Sequence, residues 1–535
     1  MSNKYFDAVV IGAGFGGIHN IRLLRELGLS VTAIERAPEI GGTWWYNTYP
    51  GCSSDTESYL YRYYWDEEDL LGYPWPNRYL RQPEILAYLK HVVTKHDLRK
   101  HIRLNTEVTS ASWDDKTSHW CIETSTGERL VSRYLVAAAG TLSEKTVPDI
   151  PGMESFQGYM MHSSQWAPNI ELSAKRVGVI GCGSTGVQII TAIASEVSSL
   201  VSFQRNPQYS IPARNGPVSP EERSSINAHY SEIIAGLWES RTGFGFTEST
   251  LPAMSVPAET RERIFEDLWR QGHGMTFMLG GFGDIVTNRE ANEEACKFMR
   301  KKISQTIKDP EKRRNLMPTE VFARRPVCDS GFYEACDRDN VQIVNCKETP
   351  ITAITTSGIQ TADGAIYELD IIIFATGFDA IEGSYTRFPI HGRGGKLLMD
   401  HWKGGAKSYF GLACSDFPNM FLVNGPQAPF ANVPTVVHST GEVMTELIKA
   451  AERARSANGD GGIIEALPEA EAKWGQMCAG SANATLFNTT SSWISGSNIK
   501  GRPVASRFFF GGLKPYKEAA REMIDNGYVG FGPFV

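Results

Sequence analysis

The chain is short of the features that mark secreted, membrane-spanning or nucleic-acid-binding proteins. Nine cysteines are scattered over 535 residues, with no C-x-x-C pair and no zinc-ligand spacing, so neither a dithiol redox centre nor a metal site is expected. The opening MSNKYFD has neither the charged nor the apolar region of an export signal. A reducing, cytoplasmic compartment is the expectation, and the sequons at Asn483 and Asn488 then carry no weight. No apolar run approaches the roughly 18 residues that span a bilayer; DIIIFATGF, from Asp370 to Phe378, reads as a buried strand. Long runs of one charge are missing too, and the net charge is -7. That argues against nucleic acid or an anionic membrane as partner and leaves small molecules.

What is present is a nucleotide-binding opening, twice. YFDAVVIGAGFGG runs as an apolar strand into Gly12, Gly14 and Gly17, and a helical pattern follows. Glycines at this spacing permit a tight turn and let the backbone approach a pyrophosphate, whose charge the helix N-terminus stabilises. The next strand ends at Glu35, about 20 residues on, where a carboxylate accepts hydrogen bonds from ribose hydroxyls. The pattern recurs in KRVGVIGCGSTG, with Gly181, Gly183, Ser184, Thr185 and Gly186, but here the following strand, LVSFQRN, ends at Arg205 and Asn206. An acid at that point repels a 2′-phosphate, whereas arginine pairs with it through a fork of donors. The expected fold is therefore α/β, with two Rossmann-like domains, one for FAD and one for NADPH in preference to NADH.

Two such sites imply hydride transfer from NADPH to FAD. Reduced flavin then needs an acceptor: a disulfide, a quinone or metal centre, or dioxygen. With no close cysteine pair, dioxygen leads.

Two further segments carry a resemblance. GGTWWYNTYPGCSSD, Gly41 to Asp55, and FQGYMMHSSQW, Phe156 to Trp166, resemble the long and short fingerprints of type I Baeyer-Villiger monooxygenases. These flavoenzymes insert one oxygen atom beside a ketone carbonyl. The short fingerprint matches at Phe156, Gly158, His162 and Trp166, with Ala167 where the family usually has Pro or Asp. Related N-oxygenating enzymes tend to have Tyr or Phe in place of the tryptophan, so Trp166 favours the ketone-oxidising branch. The resemblance extends through nearly the whole chain: ARRPVCDSGFYE (Ala323 to Glu334), FATGFDA (Phe374 to Ala380) and SSWISGSNI (Ser491 to Ile499) look like the family's arginine segment, hinge and mobile loop.

The resemblance implies a flavin-borne peroxide that attacks the ketone, with Arg325 as catalytic arginine and Asp55 as its acidic partner. It places Thr43, Trp44 and Asp55 at FAD, and Arg324, Arg325 and Trp493 at NADPH. Arg324 and Asn206 stand where many relatives have lysine and threonine, which bears on coenzyme preference. His162 is read as a hinge residue rather than a general base, and Cys52 and Cys328 as small packing groups. The expected partners are a ketone and dioxygen; the sequence leaves the oligomeric state open, a monomer being plausible.

The implied layout is discontinuous. Residues 1–142 and 380–535 form the FAD domain, 143–215 and 329–379 the NADPH domain, and 216–328 a helical insertion. Ser219, Pro220 and Glu222 give that insertion a capping-box start. GMTFMLGGFGD, from Gly274 to Asp284, reads as an interhelix loop or a wall of the substrate pocket, and NGPQAPFANVP (Asn424 to Pro434) as a further apolar wall. Two other functions stay open: an N- or S-oxygenating flavin monooxygenase, and a non-catalytic redox sensor that binds both coenzymes.

Overall fold

The structure, a computed structural model, describes residues 4–458 and 462–532. It is built on two Rossmann-like α/β units, each a twisted sheet whose central strands are parallel. In the first, Lys4–Ile11 lies between Arg129–Ala137 and Val31–Ile34, in register so that Ile11 stands beside both Ala137 and Ile34. The burial of Lys4–Ile11 deepens along its length, the last four residues being fully covered. In a parallel sheet the carboxyl ends of neighbouring strands lie together. Gly12, Glu35 and Ala138 thus meet at one edge.

The second unit has the order Val341–Asn345, Ser199–Gln204, Arg176–Ile180, Ile371–Phe374, Tyr159–His162, all parallel. Ile180 stands beside Phe203 and Phe374, and Phe374 beside His162. Its carboxyl edge therefore collects Gly181, Arg205, Ala375 and His162.

The two glycine turns are near-copies. Gly12 has φ +97, and a Cβ there would lie 2.5 Å from the Ala138 carbonyl oxygen. Gly181 has φ +112, and its Cβ would lie 2.3 Å from the Ala375 oxygen. A side chain is excluded at both by conformation and by space. One buried apolar cluster runs from Val10 and Ile18 through Tyr49 and Cys52 to Val187 and Ile190, so the two units share a core.

Between residues 216 and 328 the chain is mainly helical: Pro220–Ala228, Tyr230–Glu239, Ala258–Gln271, Gly274–Leu279, Arg289–Thr306 and Pro310–Leu316. Only half of the capping box at Ser219 forms. The Ser219 hydroxyl accepts the Glu222 N–H at 3.1 Å, while the Glu222 carboxylate turns toward Arg78. The interhelix-loop reading of Gly274–Asp284 is corrected. Its first six residues are a helix with Phe277, Met278 and Leu279 buried, because apolar burial outweighs the loop preference of its glycines. Among the described residues no helix is long and apolar enough to cross a membrane, and all nine cysteines are free thiols.

Candidate active site

At the first glycine turn, Gly14 begins helix Phe15–Glu26 in an extended conformation with no side chain capping the helix, so the first-turn N–H groups are available to an anion. The Glu35 carboxylate accepts N–H groups of Ala13 at 2.8 Å and Ala37 at 2.9 Å. Burial pushes its pKa up against these bonds. The segment from Gly41 folds directly over the turn: a Cβ on Gly42 would lie 2.9 Å from Gly14 Cα. Thr43 and Trp44 open the short helix Thr43–Tyr46 there, and Trp44 Nε1 donates to the Tyr61 hydroxyl at 3.1 Å.

At the second turn, Gly183 is exposed and a Cβ on it would meet nothing within 4 Å. The helix Ser184–Ile193 that follows is again uncapped by any side chain. The Cys182 thiol donates to the Asn206 carbonyl at 3.0 Å, which draws the strand end against the turn. Burial pushes that thiol up to about 12, opposed by the Arg324 and Arg205 guanidinium charges. Both arginines therefore act on the same turn. Arg205 is exposed, whereas Arg324 is ion-paired to Glu320 and donates from Nε to the Ser491 carbonyl at 3.1 Å. Glu320 also meets Lys347 at 3.3 Å.

Arg325 and Asp55 come from segments 270 residues apart and form a bidentate pair, with Nε at 3.1 Å and Nη2 at 2.7 Å from the two carboxylate oxygens. Nη1 lies outside the pair. Each side chain keeps about a quarter of its surface exposed. Burial raises the Asp55 carboxyl, but the Arg325 guanidinium outweighs it and holds the group below the usual carboxylate range. Arg325 is correspondingly raised and stays protonated at any working pH. Its Cζ sits 5.4 Å from the centre of the Phe244 ring.

Trp493 lies edge-on to Phe508 at 5.7 Å, and Phe508 packs in turn on Phe430 and Phe510. Through Phe430 this aromatic group joins the Asn424–Pro434 segment. His162 is buried, its Nε2 3.1 Å from the Gly377 carbonyl and its Nδ1 3.2 Å from the Ser164 N–H. Burial lowers its pKa to about 4, so it links the Phe156–Trp166 segment to the Ala375–Gly377 turn as a neutral donor. Cys52 and Cys328 have their thiols pushed up by burial to about 12, which leaves them poor nucleophiles.

Sequence reasoning missed Gln188, whose side chain reaches the Gly41–Asp55 segment from helix Ser184–Ile193. The signal was its position one helical turn beyond Ser184. It also missed Phe244, Glu320 and His273. The last stands between two glycines in QGHGM, where a side chain is unexpected.

The family described as FMO-like, flavin-binding monooxygenase-like, matches residues 7–211. The chain is 45% identical over 528 residues to a phenazine N-monooxygenase from Lysobacter antibioticus, covering 98% of this chain and 97% of the relative. It is 43% identical over 533 residues to a cyclohexanone 1,2-monooxygenase from Acinetobacter sp, covering 99% and 97%. The crystal structure of cyclohexanone monooxygenase from Rhodococcus sp. Phi1 bound to NADP+ superposes with a TM-score of 0.97 at 46% identity, covering 99% of each chain.

Proposed function

The chain belongs to the flavin-binding monooxygenase family, and from that premise and the Arg325–Asp55 pair we propose that it is a FAD-dependent, NADPH-consuming Baeyer-Villiger monooxygenase, converting ketones to esters or lactones with dioxygen. The residues present fit both coenzymes. At the first turn, side chains are excluded at Gly12 and a carboxylate waits at Glu35. Gly12, Gly14, Gly17, Glu35, Thr43, Trp44 and Asp55 would hold FAD. At the second turn, the space beside Gly183 and the two arginines acting on Cys182 suit a phosphorylated dinucleotide. Gly181, Gly183, Ser184, Thr185, Gly186, Arg205, Asn206, Arg324, Arg325 and Trp493 would hold NADPH. FAD held at the first turn would, with NADPH as its reductant, supply the activation of dioxygen.

Arg325 supplies the fixed cation. Asp55 engages Nε and Nη2, so Nη1 is left to donate to negative charge developing on the substrate carbonyl oxygen. One such preorganised donor is worth about 3 kcal/mol at the transition state. Because Arg325 keeps its proton, it stabilises that charge without acting as an acid. Asp55 orients the fork. The layout of domains given above, with the FAD unit interrupted by the NADPH unit, is part of this reading, and so is a reducing cytoplasmic setting, which nine unpaired thiols suit.

The Arg325–Asp55 geometry is the observation that carries the proposal. Arg325→Ala is expected to leave NADPH able to reduce the flavin while ester or lactone formation is lost; normal product from that variant refutes the role. The phenazine N-monooxygenase relative favours a second reading, oxygenation of an aromatic ring nitrogen. Product mass with a cyclic ketone set against a phenazine decides between them.

A further inference from the structure

His273 holds a backbone conformation that a histidine is not expected to adopt. Its φ is +77, the largest positive value among the described non-glycine residues, and its ψ of +112 lies outside the left-handed helical well. Glycine flanks it on both sides, and a third glycine, having no Cβ, would sit there with less strain. Strained backbone of this kind persists only when the surroundings over-determine it.

The surroundings do so through the side chain. The imidazole is 6% exposed. Nδ1 accepts the Thr276 N–H at 3.2 Å and lies 2.7 Å from the Thr276 hydroxyl, capping helix Gly274–Leu279. The ring stacks on Tyr79 at 6.2 Å and meets Phe244 and Phe246 at 5.7 and 6.0 Å. Phe244 is also the ring beneath Arg325. Since Nδ1 is an acceptor, the proton resides on Nε2. That buried Nε2 has no hydrogen-bond partner of ordinary geometry, and the Asp55 carboxylate and main chain, with the Arg325 and Arg78 charges, all act on the ring. A buried donor left open in this way calls for an explanation.

We propose that His273 is a positioning residue for oxygen transfer: its Nε2–H backs Asp55 and thereby fixes the direction in which Arg325 presents Nη1. The imidazole suits this task because it is neutral. Burial lowers its pKa to about 4, so it supports Asp55 without competing with Arg325 for the carboxylate charge. The inference rests on the reading of Arg325 given above.

The test uses the full-length holoenzyme with cyclohexanone as probe and three variants, His273→Gly, His273→Asn and Arg325→Ala. Glycine relieves the backbone and removes the donor; asparagine tolerates positive φ and keeps one. His273→Gly is expected to keep or raise the thermal midpoint while several-fold more of the NADPH electrons end in hydrogen peroxide, with KM for NADPH unchanged. His273→Asn is expected to restore part of the coupling. In the 15N-histidine-labelled holoenzyme, the resonance lost in His273→Gly should report the Nε2–H tautomer from about pH 8 down to about pH 5.

Wild-type coupling in His273→Gly, alongside an Arg325→Ala variant that makes no product, overturns the role of His273 alone. Product from Arg325→Ala overturns the reading beneath it. Loss of both stability and coupling in His273→Gly, unrelieved by asparagine, assigns the ring to packing and also overturns the proposal.

Discussion

The Tyr49 hydroxyl donates to the Gln188 side-chain oxygen at 2.9 Å, across 139 residues of sequence. Gln188 Nε2 also reaches the Ser53 carbonyl at 3.2 Å, and Gly51, at φ +82, lies so close to the Gln188 main chain that a Cβ would stand 2.6 Å from its oxygen. One glutamine on the helix of the second glycine unit thus fastens the segment that covers the first. Replacing it by alanine removes the carboxamide bonds to the buried Tyr49 hydroxyl and to the Ser53 carbonyl, a loss of about 0.5–1.5 kcal/mol for each. Denaturant unfolding of Gln188→Ala should show that loss, and the variant should bind NADP more weakly than wild type.

The two glycine turns give opposite expectations for one small change. Gly12→Ala combines a positive φ with a clash against Ala138 and should destabilise the fold by about 1–3 kcal/mol or more, with loss of bound flavin absorbance. Gly183→Ala meets no neighbour, so its thermal midpoint should hardly move. Its methyl group would enter the space assigned to the pyrophosphate, and KM for NADPH should rise.

Coenzyme choice should respond to Arg205 and to the ion pair that holds Arg324. A charge-assisted hydrogen bond contributes about 1.5–3 kcal/mol, so Arg205→Ala should lower the NADPH-over-NADH ratio of kcat/KM by about 10- to 100-fold. Glu320 ties up Arg324 and competes with a 2′-phosphate for it. Glu320→Gln is expected to lower KM for NADPH and leave that for NADH unchanged.

Stability should fall on the acid side because burial lowers the pKa of several histidines, His19, His162 and His273 among them. His162 and His273 each have a folded pKa lowered to about 4 by burial, against about 6.5 unfolded. The unfolded chain therefore binds more protons between these values. Each group's contribution is complete above about pH 6.5 and is lost as pH falls through the folded value, to an extent of about 3 kcal/mol. Asp55, whose folded pKa is lowered by Arg325 against burial, adds a loss only below about pH 4. Chemical denaturation from neutral pH to about pH 4.5 should show the decline, and His273→Gly should flatten it.

The Ser491–Ile499 loop is latched by charge. Asn498 Nδ2 donates to the Phe378 carbonyl at 3.3 Å, Arg502 pairs with Asp379 through both carboxylate oxygens, and the fully buried Arg507 meets Glu382 at 2.6 Å. All three acceptors follow the Ala375–Gly377 turn. Arg502→Ala should make the 491–507 stretch cleave faster in limited proteolysis, and a charge-exchanged pair, Arg502→Asp with Asp379→Arg, should restore part of the protection.

Local pattern alone determined the two strand–turn–helix openings, their glycines and the strand ends at Glu35 and Arg205. Hydrophobic periodicity and conformational need are properties of short segments. The motif match to Arg325 and Asp55 likewise named the pair before any distance was known. It could not name Gln188, Phe244 or His273, because their partners lie far off in sequence or are reached only through a ring. Gly274–Asp284 shows the same limit from the other side: its glycines read as a loop, yet packing made Gly274–Leu279 a helix. Tertiary structure alone decided which charge faces which, since burial and neighbouring charge depend on the whole fold. That is why Asp55 is held ionised by Arg325 while the imidazole of His273 beside it is kept neutral.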